Sequence, residues 1–321
     1  MMKAVRVPKF GGTDVLTIAT DIPKPKPAAK DVLIHVKAIG VNPVETHFRE
    51  GHMPGGPTPP FTLGSDCAGI VEEVGSDVTS LKAGDRVWTW QATSGSHAEY
   101  ASASEGGTFL LVDELSFEEG AALGIPYMTA YRALVHKGHA KSGETVLVHG
   151  ASGATGVGAV QLGKVLGLKV IGTGGTKEGL EIVKKAGADE VYNHRDKEYL
   201  AKLKESCGGV DLVIEMASHF NLGKDLTIMK PGGRIVVIGA RGPVEINPGD
   251  MILNEVTISG LLIFKATLEE GKESAEVIAK EAKAGRLHPI VGKRFKLEEI
   301  ATAHKDLMEG SGALGRTVLT L

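Results

Sequence analysis

Short apolar runs, separated by turn-forming residues, characterise the first 120 residues of the chain. Residues 32–39, 68–74 and 86–90 have the length and composition of strands. Residues 51–60 contain four prolines and three glycines, which no helix or central strand tolerates. The pattern predicts a β-rich region with a surface loop over residues 51–60.

From about residue 124 the pattern changes to an alternation of strands and helices. Such an alternation predicts a parallel sheet with helices packed on it. An amphipathic helix over residues 268–284 and a final strand over 317–321 follow. The six predicted strands of the sheet cover residues 145–149, 169–171, 190–192, 211–216, 234–239 and 256–264, and helices over 157–166 and 178–186 separate the first three.

Composition limits the class of protein further. Of 321 residues, 42% are hydrophobic and 23% are charged, which excludes a disordered chain, a collagen-like repeat and a coiled coil. The length suggests two domains, with one large α/β domain as the alternative. The formal charge of −3 arises from interspersed charges, so the chain has no field that would attract nucleic acid or an anionic membrane.

The compartment follows from the N-terminus and the cysteines. Residues 1–10 lack the apolar core of a signal peptide, and no apolar run approaches the roughly 18 residues of a membrane span. Cys67 and Cys207 are too few for a disulfide framework or a cysteine-rich zinc site. We therefore expect a cytoplasmic protein.

Glycine is concentrated in one segment, where nine of the 43 glycines lie within residues 150–175. Gly150, Gly153, Gly156 and Gly158 follow a predicted strand directly and precede a predicted helix. Dinucleotide-binding loops occupy this place, because glycine permits close backbone approach and the helix N-terminus offers N–H groups to a pyrophosphate. A tight strand-to-helix turn is the alternative, and the surrounding strands and helices favour the dinucleotide.

The choice between NAD and NADP depends on the end of the second strand of such a unit. An acidic residue there holds the ribose hydroxyls and repels a 2′-phosphate. Residues 171–177 contain no acid and end in Lys177, and residues 192–195 add His194 and Arg195 at the next strand end. Glu178 follows Lys177, and a lone lysine is often only solvated, but the composition favours NADPH.

Segments that match a known family run through nearly the whole chain, in the family's order. They cover residues 40–46, 63–66, 84–87, 124–134, 146–153, 191–195 and 245–248. With them the sequence resembles the medium-chain dehydrogenase/reductase superfamily, and within it the zeta-crystallin group of NADPH:quinone reductases. The resemblance implies an α/β protein: a GroES-like β-rich domain over 1–123 and 266–321, and a Rossmann domain with a doubly wound parallel sheet over 124–265. It also implies a homodimer or homotetramer, with the cofactor in the cleft.

Alcohol dehydrogenases of this superfamily hold a catalytic zinc with a Cys, a His and a second Cys or an acid. At the matching positions, residues 40–43 read Gly-Val-Asn-Pro and residues 64–66 read Gly-Ser-Asp, so both motif ligands are absent. We therefore expect no metal and an acceptor that needs no Lewis acid. A quinone or an enone meets this condition, since the charge that arrives with a hydride spreads over its conjugated system.

Position by position, the resemblance implies NADPH contacts in both domains. His47 replaces the family's usual tyrosine, Ala154-Thr155 replaces Gly-Val in the loop, and Arg316 replaces a lysine. The implied contacts are Asn42 and His47 in the first domain; Ser152, Gly153, Ala154 and Thr155 in the loop; Gly175, Lys177 and His194 around the adenosine phosphate; and Asn221, Ile238, Gly239, Ala240, Arg241, Leu261, Leu262 and Ile263 further on.

No single proton donor stands out. Asn42, His47, Tyr127 and Thr129 are candidates because they lie in family motifs. A turn at Asn42, and packing or capping by Tyr127 and Thr129, are the structural alternatives. The proton can also come from solvent.

The sequence thus predicts a zinc-independent, NADPH-dependent quinone oxidoreductase. An NADPH-dependent reductase of 2-alkenal or enone double bonds is the first alternative. A non-enzymatic role, as a crystallin-like or an RNA-binding protein, is the second. The acidic net charge and the lack of an aromatic and basic platform argue against RNA.

Overall fold

The computed structural model describes residues 1–310 and 312–321, which form three sheets and the helices around them. The strands are β1 Met2–Val7, β2 Thr17–Ile22, β3 Asp31–Gly40, β4 Phe61–Thr62, β5 Cys67–Val74, β6 Arg86–Thr89, β7 Tyr100–Ser104, β8 Thr108–Leu110, β9 Thr145–Val148, β10 Lys169–Gly174, β11 Glu190–Asn193, β12 Val210–Glu215, β13 Met229–Val237, β14 Thr257–Gly260, β15 Val291–Lys296 and β16 Arg316–Thr320. The α-helices are α1 Pro43–Glu50, α2 Phe117–Tyr131, α3 Ala154–Val165, α4 Lys177–Lys185, α5 Tyr199–Cys207, α6 Ser218–Asp225, α7 Pro248–Asn254, α8 Leu268–Lys283 and α9 Ile300–Glu309.

The six strands predicted between residues 145 and 264 form one parallel sheet in the order β11-β10-β9-β12-β13-β14. Alternate residues of β9 face opposite sides: Val146 and Val148 pack in one core cluster, and Leu147 packs in another. Both faces are therefore buried, and this explains the continuous apolar runs of these strands. The prediction of a parallel sheet is confirmed.

The last strand of this sheet is shorter than predicted. The apolar run over 256–264 contributes only β14 to the sheet, and residues Ile263–Lys265 form a short 3-10 helix. Leu261 and Ile263 are buried in the cluster under α2 and α3 rather than in the sheet. The apolar run extends past β14 because Leu261 and Ile263 pack in this cluster.

The second large sheet combines both ends of the chain. Its order is β15-β16-β3-β5-β6-β8, with β7 also paired to β3. The C-terminal strand β16 runs antiparallel to β3, with Leu319 opposite Ile39. A third sheet, β2-β1-β4, lies in the same half of the chain. The strands predicted at 32–39, 68–74, 86–90 and 317–321 are all present, and residues 51–60 contain no helix, as predicted.

Helix α2 connects the two large sheets and was not predicted. It packs on α3 and on β3 and β5, so residues 120–131 are buried on all sides and show no amphipathic period. Ser116 caps it and accepts a hydrogen bond from Glu119 N. The helix kinks at Gly124, two residues before Pro126, where φ is −37° and ψ is −118°. The kink leaves Ile125 N to donate to Asp66 Oδ2 at 2.9 Å.

Within the described residues, none of the helices combines the length and the apolarity needed to cross a bilayer.

Candidate active site

The glycine loop joins β9 to α3 with the geometry that an anion site requires. Gly150 has φ of +59°, a conformation that L-residues rarely adopt. Gly153 is the N-cap of α3 and offers no capping side chain, so the helix N-terminus can take an external anion. At Gly156, a Cβ would lie 2.3 Å from Gly150 O. Only glycine lets the helix approach the loop backbone this closely.

The predicted loop contacts sit on this turn. Ser152 is buried, and Gly153, Ala154 and Thr155 are partly exposed at the start of α3. The C-terminal segment lies beside them, because Gly315 N donates to Ser152 O at 2.6 Å. The loop therefore lies at the boundary between the two halves of the protein.

Three basic side chains, Lys177, His194 and Arg195, lie near the end of β10. Thr176 caps α4 by accepting from Gly179 N at 3.0 Å, and Lys177 is exposed in the first turn. A Cβ on Gly175 would come within 2.6 Å of His194 Nε2 and 3.3 Å of Arg195 Nε. Glycine at 175 thus leaves room for two basic side chains beside the strand tip. Burial and the neighbouring His149 and Arg195 lower the pKa of His194.

The remaining predicted contacts follow the next strands at the same edge of the sheet. Asn221 lies on α6, where its Nδ2 donates to Glu215 Oε1 at 3.3 Å. Ser218 N donates to Gly239 O, which fixes the turn after β13. The set Asn221, Ile238, Gly239, Ala240, Arg241, Leu261, Leu262 and Ile263 therefore follows β12, β13 and β14 at their carboxyl ends, where α/β sheets bind ligands.

Contacts across the cleft bring the first half of the chain to this edge. Arg241 Nη1 donates to Met308 O on α9 at 3.0 Å, and the ring of Phe48 on α1 packs tilted against that of Phe264, with the centroids 5.6 Å apart. His47 lies in the last turn of α1, partly exposed, and its ring centroid is 6.5 Å from that of His52. Donor atoms of His47, Glu50 and His52 lie within 4.8 Å of one another.

A buried ion pair lies at the base of the cleft. Arg316 Nη2 donates to both carboxylate oxygens of Asp66, at 2.8 and 2.7 Å, and the two side chains are 3% and 0% exposed. Arg316 Nη1 donates to Asn42 Oδ1 at 2.7 Å and to Val41 O at 3.0 Å. The guanidinium thus joins Asp66, Asn42 and Val41 through hydrogen bonds that combine charge with a fixed geometry.

Glu45 adds a second buried carboxyl to the same cluster. Its oxygens accept from Asn42 N, Asn42 Nδ2 and Ser65 N at 2.9, 3.0 and 3.1 Å. Burial raises the pKa of Glu45, and burial lowers the pKa of the adjacent His97 to about 4. Neutral His97 adds no positive charge, so Arg316 provides the cation of this cluster.

The geometry does not fit the zinc site of the superfamily's alcohol dehydrogenases. Asn42 and Ser65 stand at the ligand positions, and the Asn42 amide is already hydrogen-bonded to Arg316, Glu45 and Asp66. A guanidinium on the Asn42 oxygen would repel a divalent cation there. An amide and a hydroxyl are also poor replacements for the thiolate and imidazole that zinc prefers.

The candidate proton donors are placed differently from one another. Tyr127 is 1% exposed and donates to Gln161 Oε1 at 2.8 Å, and burial raises its pKa. Thr129 is 4% exposed on α2. Asn42 is the N-cap of α1 rather than part of an open turn, and its amide is engaged by Arg316. His47 is the one of these four that is partly exposed.

Sequence reasoning missed the roles of Asp66, Glu45 and Arg316 in this cluster. In the sequence, Asp66 ends a segment that matches the family, at a position where other members have Glu, and Arg316 stands where the family has a lysine. Glu45 had a local signal, since an Asn followed three residues later by Glu and by a proline at the first helical position is typical of a helix N-terminus.

Taken together, the fold and the site define a two-domain oxidoreductase of the nucleotide-binding kind. Residues 28–124 match the alcohol dehydrogenase GroES-like domain, and residues 154–280 match the family described as zinc-binding dehydrogenase. A human quinone oxidoreductase is 47% identical over 323 residues, covering 100% of this chain and 98% of that protein.

Bacterial proteins are similar over the same length. Quinone oxidoreductase 1 of Escherichia coli is 32% identical, covering 99% of each chain. The crystal structure of an Escherichia coli quinone oxidoreductase complexed with NADPH has a TM-score of 0.88 at 29% identity, covering 99% of this chain and 100% of that one. The chain belongs to the zeta-crystallin-like quinone oxidoreductases of the medium-chain dehydrogenase/reductase superfamily.

Removal of the buried cation is expected to destabilise the protein. Arg316→Met leaves the buried Asp66 without its cation, which costs about 3 to 5 kcal/mol in the free energy of unfolding. Arg294→Met is the matched control, because Arg294 is 55% exposed and pairs with Glu118 at the surface; it should cost less than about 1 kcal/mol. Denaturant unfolding measures both, and equal losses would contradict the assigned role of Arg316.

The close approach at Gly156 gives a second prediction. In Gly156→Ala the new methyl group meets loop backbone rather than a flexible side chain, so we expect a loss of about 1 to 3 kcal/mol. Gly106→Ala is the control, since a Cβ there meets nothing within 4 Å. Thermal unfolding of both variants is the measurement, and an unchanged melting temperature for Gly156→Ala would show that the loop relaxes freely.

Proposed function

We propose that the protein is a zinc-independent quinone oxidoreductase that uses NADPH, with residues 124–265 forming the nucleotide domain and residues 1–123 and 266–321 forming the other. The observation that carries the proposal is the buried Arg316–Asp66 pair, whose guanidinium also donates to Asn42 Oδ1 at 2.7 Å. Without a Lewis acid, an acceptor must spread the incoming charge itself, and quinones do so.

The glycine loop and the β10 tip support NADPH as the cofactor. The N-terminus of α3 would hold the pyrophosphate, and Lys177 with His194 and Arg195 would surround the 2′-phosphate. No acidic side chain lies in residues 171–177 to repel it. The related Escherichia coli protein, whose structure holds NADPH, supports the same choice.

When bound, NADPH supplies a hydride, and this chain's residues position the cofactor. Leu261 and Ile263 are 8% and 6% exposed and provide an apolar wall at the carboxyl end of β14. His47 on α1 and Asn42 at its N-cap would contact the cofactor from the other half of the chain, with Asn42 held by Arg316. Reduction of a quinone to a hydroquinone then takes up a proton, which solvent entering the cleft can provide.

Exposed apolar residues near the edge strand β14 support a homo-oligomer. Ile252 and Leu253 on α7 are 76% and 79% exposed, and Leu268 is 83% exposed. An edge strand with one free edge beside exposed apolar side chains is a surface that a second copy can cover. The two free cysteines support the cytoplasm as the compartment.

Lys177 should determine the preference for NADPH. In Lys177→Ala the 2′-phosphate loses a positive neighbour, so we expect NADPH to bind about tenfold or more weakly, with NADH almost unchanged. Lys184→Ala, in the last turn of the same helix, is the control and should change neither affinity. Fluorescence titration with both nucleotides is the measurement. Equal losses for NADPH and NADH would mean that Lys177 does not contact the 2′-phosphate.

Steady-state rates with different acceptors test the proposed reaction. We expect NADPH oxidation with a quinone to exceed that with an α,β-unsaturated aldehyde or a saturated ketone by about tenfold or more in kcat/KM. Activity confined to the aldehyde would instead support the alkenal or enone reductase. Absence of hydride transfer to every acceptor would favour a non-enzymatic role, and RNA displaced by NADPH would identify the RNA-binding alternative.

A further inference from the structure

A buried cluster of three titratable side chains lies directly behind the glycine loop. His149, Glu215 and Asp225 are 2%, 0% and 0% exposed. His149 Nε2 lies 2.8 Å from Asp225 Oδ1 and 3.6 Å from Glu215 Oε2. In the part of the chain that the structure describes, no Lys or Arg forms an ion pair with either carboxylate. The first distance is that of a hydrogen bond with a proton between the two atoms.

One side of the cluster is linked to the loop. His149 is the residue before Gly150, and its Nδ1 lies 3.4 Å from Thr173 Oγ1. The same Thr173 oxygen accepts from Gly150 N at 3.3 Å, and Thr173 O accepts from Ala151 N at 2.9 Å. Thr173 therefore connects the imidazole to Gly150, the first glycine of the loop, and to the end of β10.

The other side of the cluster is linked to α6. Glu215 Oε1 accepts from Ala217 N and from Asn221 Nδ2. The Glu215 carbonyl accepts from Ile238 N at 2.8 Å. Asn221 and Ile238 are both among the proposed cofactor contacts. The cluster thus connects three segments of the proposed binding site through buried atoms.

The charges of the cluster balance only when one carboxyl is protonated. Glu215 Oε2 and Asp225 Oδ2 are buried and accept no hydrogen bond from the described residues. Burial and the nearby Asp225 raise the pKa of Glu215 to about 7. Burial favours a neutral His149, but Asp225 and Glu215 raise its pKa overall. The cluster therefore holds one imidazole and two buried carboxyl groups, and its net charge depends on whether Glu215 is ionised.

The other titratable groups around the cluster lie outside it or stay neutral. Lys224 on α6 is exposed and lowers the pKa of His149. The ring centroid of Tyr199 on α5 lies 6.4 Å from that of His149. Burial and the nearby Asp225 raise the pKa of the Tyr199 hydroxyl, so it stays neutral. His194 and Arg195 lie after β11, on the side of the proposed phosphate site.

We propose that His149, Asp225 and Glu215 form a proton-linked positioning cluster for the cofactor, in which ionisation of Glu215 adds a negative charge behind the phosphate-binding loop and weakens the binding of NADPH. The inference rests on the proposed use of NADPH. Ionisation of Glu215 makes the net charge of the cluster more negative by one. By linkage, binding of the anionic cofactor must then take up a proton at Glu215.

The test is the dissociation constant of NADPH measured by fluorescence between about pH 6 and pH 9, for the wild type and Glu215→Gln. The amide keeps an Oε1 acceptor for Ala217 N and Asn221 but cannot ionise. We expect the wild-type constant to rise about fivefold more than that of the variant across this range. The difference between the two proteins cancels the titration of NADPH itself.

Two further variants make the result specific. Glu190→Gln is the control, since Glu190 is a carboxylate of the same sheet that pairs with Lys169 near the surface; it should retain the wild-type pH profile. Asp225→Asn leaves Glu215 as the only carboxyl group beside His149 among the described residues, so Glu215 should ionise at lower pH and the inflection should move in that direction. This variant also provides a test if Glu215→Gln does not fold.

The outcomes separate this inference from the proposed function. Identical pH profiles for the wild type and Glu215→Gln, or an unmoved inflection in Asp225→Asn, would overturn the positioning role while leaving NADPH binding intact. A wild-type protein that binds no NADPH at any pH would instead refute the proposed cofactor. Calorimetry in buffers of different ionisation enthalpy should show proton uptake near pH 7 that Glu215→Gln lacks.

Discussion

The ion pair between Arg316 and Asp66 connects parts of the chain that lie far apart in sequence. Arg316 begins the last strand, Asp66 precedes β5, and their hydrogen bonds extend to Asn42 on α1 and to Ile125 in the kink of α2. Because both charges are buried, each must keep its partner, and the cost of separating them fixes how these four segments meet. The arrangement of the cleft depends on that requirement.

The same pair limits the chemistry. A superfamily that elsewhere places a zinc ion at this position here presents an amide, a hydroxyl and a guanidinium. Such a site can hold a carboxylate and orient Asn42, but it offers no open coordination position for a substrate oxygen. In the nucleotide half of the protein, a glycine loop, a helix N-terminus and a strand end without acidic residues meet at one edge of the sheet. The fold thus combines a glycine loop of the nucleotide-binding kind with a cluster whose amide and hydroxyl are poor zinc ligands.

How much of this the sequence could predict depends on how local each signal was. The parallel strands were predictable because burial on both faces gives continuous apolar runs, and the glycine loop because Gly150 and Gly156 meet local backbone. Helix α2 was not, because residues 120–131 are buried on all sides and show no helical period. The Arg316–Asp66 pair was not either, because 250 residues separate the two side chains and neither has a local signal. The cluster of His149, Glu215 and Asp225 also requires the folded sheet, because His149 and Glu215 lie at the ends of β9 and β12 and Asp225 lies at the end of α6.

The metal content of the purified protein tests the central claim most directly. The protein would be expressed with added zinc, dialysed with and without a chelator, and analysed for metal and for quinone reduction with NADPH. A guanidinium at the ligand positions predicts far less than one zinc per chain and the same rate after chelation. One zinc per chain, whose removal abolishes the reaction and whose return restores it, would contradict the account.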